Sequence, residues 1–209
     1  MTQPAGRTWF ALTAVIVAVG IVVQLFATAD NEAGHFTGTK AVLNVFCYFT
    51  IQSNLLLGIT SALLAIRTNR RSTAFRALRL DGVLAMAVTG IVYHTVLAGL
   101  DDLDGMAAFA NVVLHTVTPL LAVIGWLVFG PRGQTNARIV WWSVVYPVLW
   151  LVFTLVRGPL AGDFYPYPFV DVAEHGLGRV LLNCLVVAVL FLGLGTGATA
   201  LDRVLPRRR

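Results

Sequence analysis

The chain has 209 residues, of which 57% are hydrophobic and 12% are charged; a soluble domain carries about 25% charged residues. This balance excludes an ordinary soluble domain, because apolar runs of this length and number require lipid as their solvent. The net charge of +5 does not indicate nucleic acid binding, since the basic residues cluster at the ends of apolar segments on one side.

Six apolar segments follow one another along the chain, most of them near the length of about 20 residues that spans a bilayer as a helix. Short polar connectors separate them, which predicts one all-α membrane domain over residues 1–209 and no separate soluble domain. The first segment exceeds the ~7–15 apolar residues of a signal peptide, so we expect it to be retained. The predicted spans are residues 9–28, 42–66, 82–100, 106–130, 140–157 and 177–200.

The basic residues fall mostly on one side of these spans. Twelve of the 15 lie in the N-terminus, the 67–81 and 131–139 connectors and the C-terminus, whereas Lys40, Arg157 and Arg179 lie on the other side. Because basic residues are retained in the cytoplasm, both termini are predicted to be cytoplasmic in a multi-pass protein, of the cell membrane if the source is bacterial. The acidic residues on the opposite side are Asp30, Glu32, Asp101, Asp102, Asp104, Asp163, Asp171 and Glu174.

Polar side chains inside the spans concentrate toward the outer surface. At a rise of about 1.5 Å per residue, Thr50 in the second span and His115 in the fourth both lie roughly 12–14 Å deep, and His94 in the third lies about 9 Å deep. Asn111 and Asn183 also fall in the outer halves of their spans. Because polar groups in lipid are costly unless satisfied, we predict an outward-facing polar pocket in the outer leaflet.

Helical spacing places these residues on shared faces. Thr50, Ser53 and Asn54 stand at i, i+3 and i+4, and Asn111 and His115 stand at i and i+4. Such faces are expected to turn inward, away from lipid, and to line the pocket.

Proline and aromatic residues mark the surroundings of this pocket. Pro119 and Pro147 are expected to kink the fourth and fifth spans below it and to free backbone groups there. The 158–176 connector holds a run of aromatic residues and prolines over residues 164–169, Tyr167 among them. Such a run suits either a rigid cover over the pocket or an ordinary aromatic belt at the membrane interface.

The chain carries no Walker loop, no Rossmann fingerprint and no GxSxG or HExxH motif. Thr50 and His115 could still perform nucleophilic chemistry, because a hydroxyl needs a nearby base and a neutral imidazole can serve as one. A structural interpretation is also open, since both residue types hydrogen-bond neighbouring helices. Ser53 is a rival nucleophile and His94 a rival base. The residues expected to bind substrate are Ser53, Asn54, His94, Asn111, Asn183 and Tyr167.

Two further roles stay open from the sequence. Asn54 or Asn183 could donate a hydrogen bond to an oxyanion, although asparagine also holds helices together in membranes. Asp171 and Glu174 are candidates for orienting His115, because they fall in the outer connector.

Three stretches of the chain carry a family resemblance when taken together. They are FCYFTIQSNLLLGI at 46–59, NVVLHTVTPLL at 111–121, and YPVLWLVFTLVRG with YPYPFVDV at 146–158 and 165–172. In sequence, order and span placement they resemble the androgen-induced protein family of animals and its bacterial six-span relatives.

The resemblance implies a membrane hydrolase. The animal members cleave fatty acid esters of hydroxy fatty acids with a threonine nucleophile and a histidine, which by the matching motifs fall on Thr50 and His115. The pattern departs beside the threonine, where Ser53 is followed by an additional polar residue, Asn54. Membrane lipid and a lipid ester substrate are the partners that the resemblance implies.

Two other classes of function remain as alternatives. A small-solute transporter would need a polar path through both leaflets, whereas the inner halves of the spans are largely apolar and no internal repeat is visible. A non-catalytic protein would hold a lipid in the pocket, or a haem-like group between His94 and His115.

The remaining features predict little further chemistry. Cys47 and Cys184 lie inside apolar segments without the spacing of metal ligands or of a disulfide framework, so we expect packed thiols, no metal and no cofactor. Gly193 and Gly197 form one GxxxG motif, which is compatible with a homo-oligomer.

Overall fold

A computed structural model describes residues 3–30, 34–100 and 102–205. These residues form helices and connectors without a strand, and six of the helical segments are long and apolar enough to cross a membrane. The predicted class, an all-α multi-pass membrane protein, is confirmed. Several charges that support the predicted orientation lie outside the described residues, namely Glu32, Asp101, Arg207, Arg208 and Arg209.

Nine α-helices occur in the described part of the chain. They are α1 Gln3–Ala29, α2 Gly38–Val45, α3 Phe49–Ile66, α4 Thr73–Val92, α5 Gly105–Val112, α6 Thr118–Ile124, α7 Ala137–Ser143, α8 Val145–Leu160 and α9 Val172–Val204. Single π-helical turns extend α4 over Tyr93–Leu97, join α5 to α6 over Val113–Val117, and extend α6 over Gly125–Phe129. The fourth span therefore runs through α5 and α6, and the fifth through α7 and α8.

The second span differs from the prediction of one helix over residues 42–66. α2 ends at Val45, and the next three N–H groups bond to carbonyls only three residues back, which is a tight turn. α3 then begins at Phe49, so Thr50 is the second residue of a helix. Its depth therefore does not follow from counting along one helix that starts at Val42.

The third span starts nine residues before the predicted boundary at residue 82. Ser72 caps α4 by accepting a hydrogen bond from the Phe75 N–H at 3.3 Å. Arg76 and Arg79 interrupt the apolar residues in the first turns of this helix and lower its hydropathy. The apolar pattern therefore predicts a later start. The predicted 67–81 connector is correspondingly reduced to residues 67–72.

The core lies where the first four spans meet. Its centre is a cluster of buried side chains from α1 to α6, comprising Val17, Ile21, Val45, Ile51, Leu57, Met86, Leu114 and Ala122. α1 approaches the fourth span closely at Gly20, where a Cβ would lie 2.7 Å from Val113. α9 is peripheral, since most of its side chains are exposed on the outer surface of the helical bundle.

The connectors divide between two ends of the bundle. Among the described residues, 34–37, 98–100, 102–104 and 161–171 lie at the acidic end, and 67–72 and 130–136 lie at the basic end. The acidic end positions the site described below.

The basic end is held by a carboxylate near the end of α9. Asp202 accepts hydrogen bonds of 2.8–3.1 Å from the N–H groups of Gly133, Gln134 and Thr135, and from the Thr135 hydroxyl. These bonds attach α9 to the 130–136 connector.

Candidate active site

The structure brings Thr50 and His115 together at the acidic end. Thr50 Oγ1 lies 3.2 Å from His115 Nε2, although 65 positions separate the two residues in the chain. Thr50 comes from the first turn of α3 and is only 5% exposed. His115 comes from the π-helical turn between α5 and α6 and is half-buried. The distance is within hydrogen-bond reach for a nucleophile and its base.

A main-chain carbonyl sets the orientation of the His115 ring. Nδ1 lies 3.1 Å from the Asn111 carbonyl oxygen, which only accepts, so Nδ1 carries the proton of the neutral ring. Nε2 then presents its lone pair to Thr50. The Tyr93 ring stacks on the imidazole at 4.5 Å, and Asn111 Nδ2 donates to the Tyr93 hydroxyl.

Neither acidic residue considered for this orienting task performs it. The Asp171 carboxylate accepts from the Glu174 N–H and caps the start of α9. Glu174 lies 4.0 Å from His175. The backbone of the fourth span thus replaces the carboxylate that orients the histidine in many hydrolases.

Tyr167 completes the hydrogen-bonded group. Its hydroxyl oxygen lies 3.0 Å from the Thr50 backbone nitrogen and 3.1 Å from Thr50 Oγ1. The N–H can only donate, so the phenol oxygen accepts that bond. The phenol proton then points to Oγ1, because the Thr50 proton is directed at His115. Burial raises the pKa of Tyr167 to about 12, so the phenol stays protonated and able to donate at neutral pH.

The turn before α3 creates this arrangement. The first N–H groups of a helix have no partner inside the helix, and Thr50 occupies such a position. Tyr167 accepts this otherwise unsatisfied N–H. A continuous second span would have bonded the Thr50 N–H to its own helix and left Tyr167 without that anchor.

Asn54 ties the two halves of the site together one turn deeper. Its side-chain amide donates to the Thr50 carbonyl at 2.9 Å and to the Leu114 carbonyl at 3.2 Å. The Leu114 carbonyl also accepts from the Thr118 hydroxyl, in the turn that precedes Pro119, a residue without an N–H to donate. Asn54 is fully buried and takes a positioning place beneath the pair.

The 161–171 segment lies over Thr50. Tyr167 is turned inward and is only 8% exposed, whereas Phe164 packs beside Phe36 near the outer surface. Tyr165 packs against Gly158, where any Cβ would overlap its ring. Asn183 of α9 donates to the Phe169 carbonyl at 2.9 Å and holds the far end of the segment. This placement favours the cover over the aromatic belt.

Two cavities meet at the Thr50–His115 pair. The outer cavity has a volume of about 480 Å³ and includes polar residues such as His35, Asn44 and Asn111 in its wall. The inner cavity has a volume of about 160 Å³ and an almost wholly apolar wall. The residues common to both walls are Thr50, Leu97, His115 and Tyr167.

The inner cavity extends away from the pair between the last two spans. Trp150 and Val148 of α8 face Val187 and Ala188 of α9 across it. Val148 and Ala188 are also exposed on the outer surface of the helical bundle, so the cavity reaches that surface between the two helices.

Three sequence candidates lie apart from the pair. Ser53 Oγ is 3.5 Å from the Tyr146 hydroxyl, and Asn183 lines neither cavity. His94 is exposed and its Nε2 is 3.0 Å from Thr116 Oγ1, so the structure does not face it toward His115 as a haem pair would require. Within the described residues no group of three or more His, Cys, Asp or Glu side chains is placed to hold a metal ion.

Two participants had no sequence signal of their own. Tyr93 stacks on His115, and the Asn111 carbonyl is a backbone group that every residue possesses. Tyr93 is the sequence neighbour of His94, and nothing in that pairing indicates that its ring stacks on His115.

Comparisons with family models, curated proteins and solved structures gave no match to this chain. The resemblance to the androgen-induced protein family therefore stays an expectation from the sequence.

Proposed function

We propose that this protein is a membrane hydrolase of lipid esters, with Thr50 as the nucleophile and His115 as the general base. The observation that carries the proposal is the ordered chain of hydrogen bonds from Tyr167 through Thr50 to His115 and the Asn111 carbonyl. Each proton in this chain has one consistent position, and that position leaves Thr50 Oγ1 ready to lose its proton to Nε2.

The reaction proceeds by acyl transfer. His115 Nε2 takes the Thr50 proton as Oγ1 bonds to the ester carbonyl carbon, and the carbonyl oxygen gains the displaced electron pair. The tetrahedral intermediate collapses, the ester C–O bond breaks, and the leaving alcohol takes the proton from Nε2. His115 Nε2 then removes a proton from water as the water oxygen bonds to the carbonyl carbon of the acyl-threonine. The second tetrahedral intermediate collapses, the bond between that carbon and Thr50 Oγ1 breaks, and Nε2 returns the proton to Oγ1 as the carboxylic acid leaves.

The two cavities support a lipid ester rather than a small polar one. An acyl chain fits the apolar inner cavity, while the alcohol part and the attacking water fit the polar outer cavity. The opening between Val148 and Ala188 gives a tail a route from the bilayer without crossing water. The family resemblance points to the same class, fatty acid esters of hydroxy fatty acids or similar lipids.

We also propose that the acidic end faces outward, with both termini in the cytoplasm. Nine of the eleven described arginines gather at the opposite end, where Arg7 and Arg76 bond to backbone carbonyls, and the exceptions are Arg157 and Arg179. The pair then lies in the outer leaflet.

Labelling of the purified protein with a fluorophosphonate tests this proposal. We expect one covalent adduct on Thr50, identified by peptide mass spectrometry, and its loss in Thr50→Ala. An adduct that persists in Thr50→Ala would remove Thr50 from the role of nucleophile. A protein that takes no label and cleaves no ester would instead be a non-catalytic lipid-binding protein.

A further inference from the structure

The Tyr167 hydroxyl makes more hydrogen bonds to Thr50 than packing of the 161–171 segment over the bundle requires. It bonds both the backbone nitrogen and Oγ1 of one residue, at 3.0 and 3.1 Å. In the acyl transfer proposed above, the oxyanion and Thr50 Oγ1 are bonded to the same carbon atom. A donor that already reaches Oγ1 is therefore close to the position where negative charge develops.

We propose that the Tyr167 hydroxyl is the donor that stabilises the oxyanion of the tetrahedral intermediates. This inference rests on the proposed function. When Oγ1 bonds to the carbonyl carbon it becomes a weaker acceptor, and the Tyr167 hydrogen bond transfers to the new oxyanion. Tyr167 keeps its proton throughout, and only its hydrogen-bond acceptor changes, so Tyr167 is a catalytic residue that touches the reacting atoms.

The surroundings prepare the phenol for this role. The Thr50 N–H donates to the phenol oxygen, which fixes its position and strengthens the O–H as a donor. The ring is held between Trp150 at 5.9 Å and Phe169 at 5.5 Å, so little reorganisation is needed when charge develops.

The side-chain amides of Asn54 and Asn183, which the sequence offered as oxyanion donors, donate to other groups in the structure. Both hydrogen bonds of Asn54 Nδ2 go to main-chain carbonyls below the pair. Asn183 Nδ2 donates to the Phe169 carbonyl. Tyr167 is thus the side chain, among these candidates, whose donor is directed at Thr50 Oγ1.

Tyr167→Phe tests the inference, with Tyr165→Phe as the matched control. Both changes remove one hydroxyl from the same segment and keep the ring. With p-nitrophenyl octanoate as substrate, Tyr167→Phe should lower kcat about 10²–10³-fold, the usual loss for one oxyanion donor. KM should stay within about threefold, because the hydrogen bond forms only as charge develops. Tyr165→Phe should match the wild type.

Octyl trifluoromethyl ketone adds a second readout, because its hemiketal with Thr50 carries the same oxyanion. Its inhibition constant should rise in Tyr167→Phe by a factor similar to the fall in kcat. A Tyr167→Phe protein with kcat within threefold of wild type, or with the loss confined to KM, overturns the inference. A wild-type protein without esterase activity and without a Thr50 adduct overturns the proposed function itself.

A second variant tests the same inference if Tyr167→Phe fails to fold. Replacement of Tyr167 by 3,5-difluorotyrosine preserves the ring and the hydroxyl but makes the phenol more acidic. Activity should then fall as pH rises through the pKa of this phenol, because the ionised form cannot donate. The wild type should show no such loss over that range, and identical pH profiles for the two proteins would contradict the role.

Discussion

The side-chain amide of Asn54 donates a hydrogen bond to the main-chain carbonyl of Leu114 at 3.2 Å. The same amide holds the Thr50 carbonyl, so one side chain fixes the second span to the fourth directly beneath the Thr50–His115 pair. The separation between Thr50 Oγ1 and His115 Nε2 therefore depends on a residue that touches neither atom.

Asn54→Ala should impair both stability and activity. Two main-chain carbonyls would lose a buried donor, which should lower the free energy of unfolding by about 1–3 kcal/mol. A displacement of Thr50 by about 1 Å can cost up to about 10²-fold in kcat. Thermal unfolding in detergent and ester kinetics measure the two effects. Ser61→Ala, a buried polar change on the same helix, serves as the control, and an Asn54→Ala protein equal to it would refute the positioning role.

Thr50→Ala and His115→Ala should each reduce ester hydrolysis by about 10³-fold or more while the protein stays folded. Nucleophile and base act as one unit, so removing either removes the acyl-transfer route. Thr50→Ser should keep measurable activity, since it retains the hydroxyl. Thr196→Ala and His175→Ala, which change the same residue types away from the pair, should match the wild type in the same assay. Full activity in Thr50→Ala would rule out the mechanism.

Val187→Phe should change the preference for acyl chain length. Val187 lines the inner cavity, and a phenyl group there fills part of its volume of about 160 Å³. Cleavage of p-nitrophenyl decanoate should fall about tenfold relative to p-nitrophenyl acetate, whose chain does not reach that far. The neighbouring Val186 is 64% exposed to the lipid side, so Val186→Phe is the control and should leave the ratio unchanged. An unchanged ratio in Val187→Phe would mean that the acyl chain lies elsewhere.

Asp202→Ala should destabilise the basic end and leave the chemistry intact. Three N–H groups and one hydroxyl of the 133–135 segment would lose their acceptor. Hydrogen bonds to a charged group are strong, so we expect a loss of about 3 kcal/mol in the free energy of unfolding. Denaturant titration measures the loss. At a temperature below the melting temperature of the variant, its kcat should equal that of the wild type. An Asp202→Ala protein with the same unfolding curve as the wild type would show that these hydrogen bonds make no net contribution to stability.

The proposed orientation predicts which surface residues react with an impermeant maleimide in intact cells. In a background of Cys47→Ser and Cys184→Ser, Thr39→Cys at the acidic end should be labelled at once. Asn69→Cys at the basic end should react only after the membrane is permeabilised. The reverse pattern would place the Thr50–His115 pair in the inner leaflet.

The six-span architecture was predictable because length and hydropathy alone determine which segments can cross lipid. The turn at residues 46–48 was not, because Phe46, Cys47 and Tyr48 carry neither proline nor glycine to signal a break. Thr50 and His115 are expected at the same membrane depth on the assumption that the second span is one continuous helix. The structure brings the same two residues together through a helix that starts just before Thr50.

The partners of the pair were harder to predict than the pair itself. Tyr167 reaches Thr50 only because the 161–171 segment folds back over the bundle, and loop conformation leaves little trace in hydropathy. The Asn111 carbonyl orients His115 through a backbone atom, which no side-chain pattern can indicate. Ser53 shares the predicted helix face with Thr50, but its hydroxyl lies 3.5 Å from the Tyr146 hydroxyl. Two residues on one helix face can therefore contact different neighbours.

The three side chains of the site enter the membrane at different times during synthesis. Thr50 precedes His115 by 65 positions and Tyr167 by 117, so ribosomes deliver Thr50 long before its two hydrogen-bond partners. A nascent chain that has inserted only its first hairpin therefore holds Thr50 without His115 and Tyr167. In the proposed mechanism, ester hydrolysis therefore has to wait until the 161–171 segment has folded over the bundle and brought Tyr167 to Thr50.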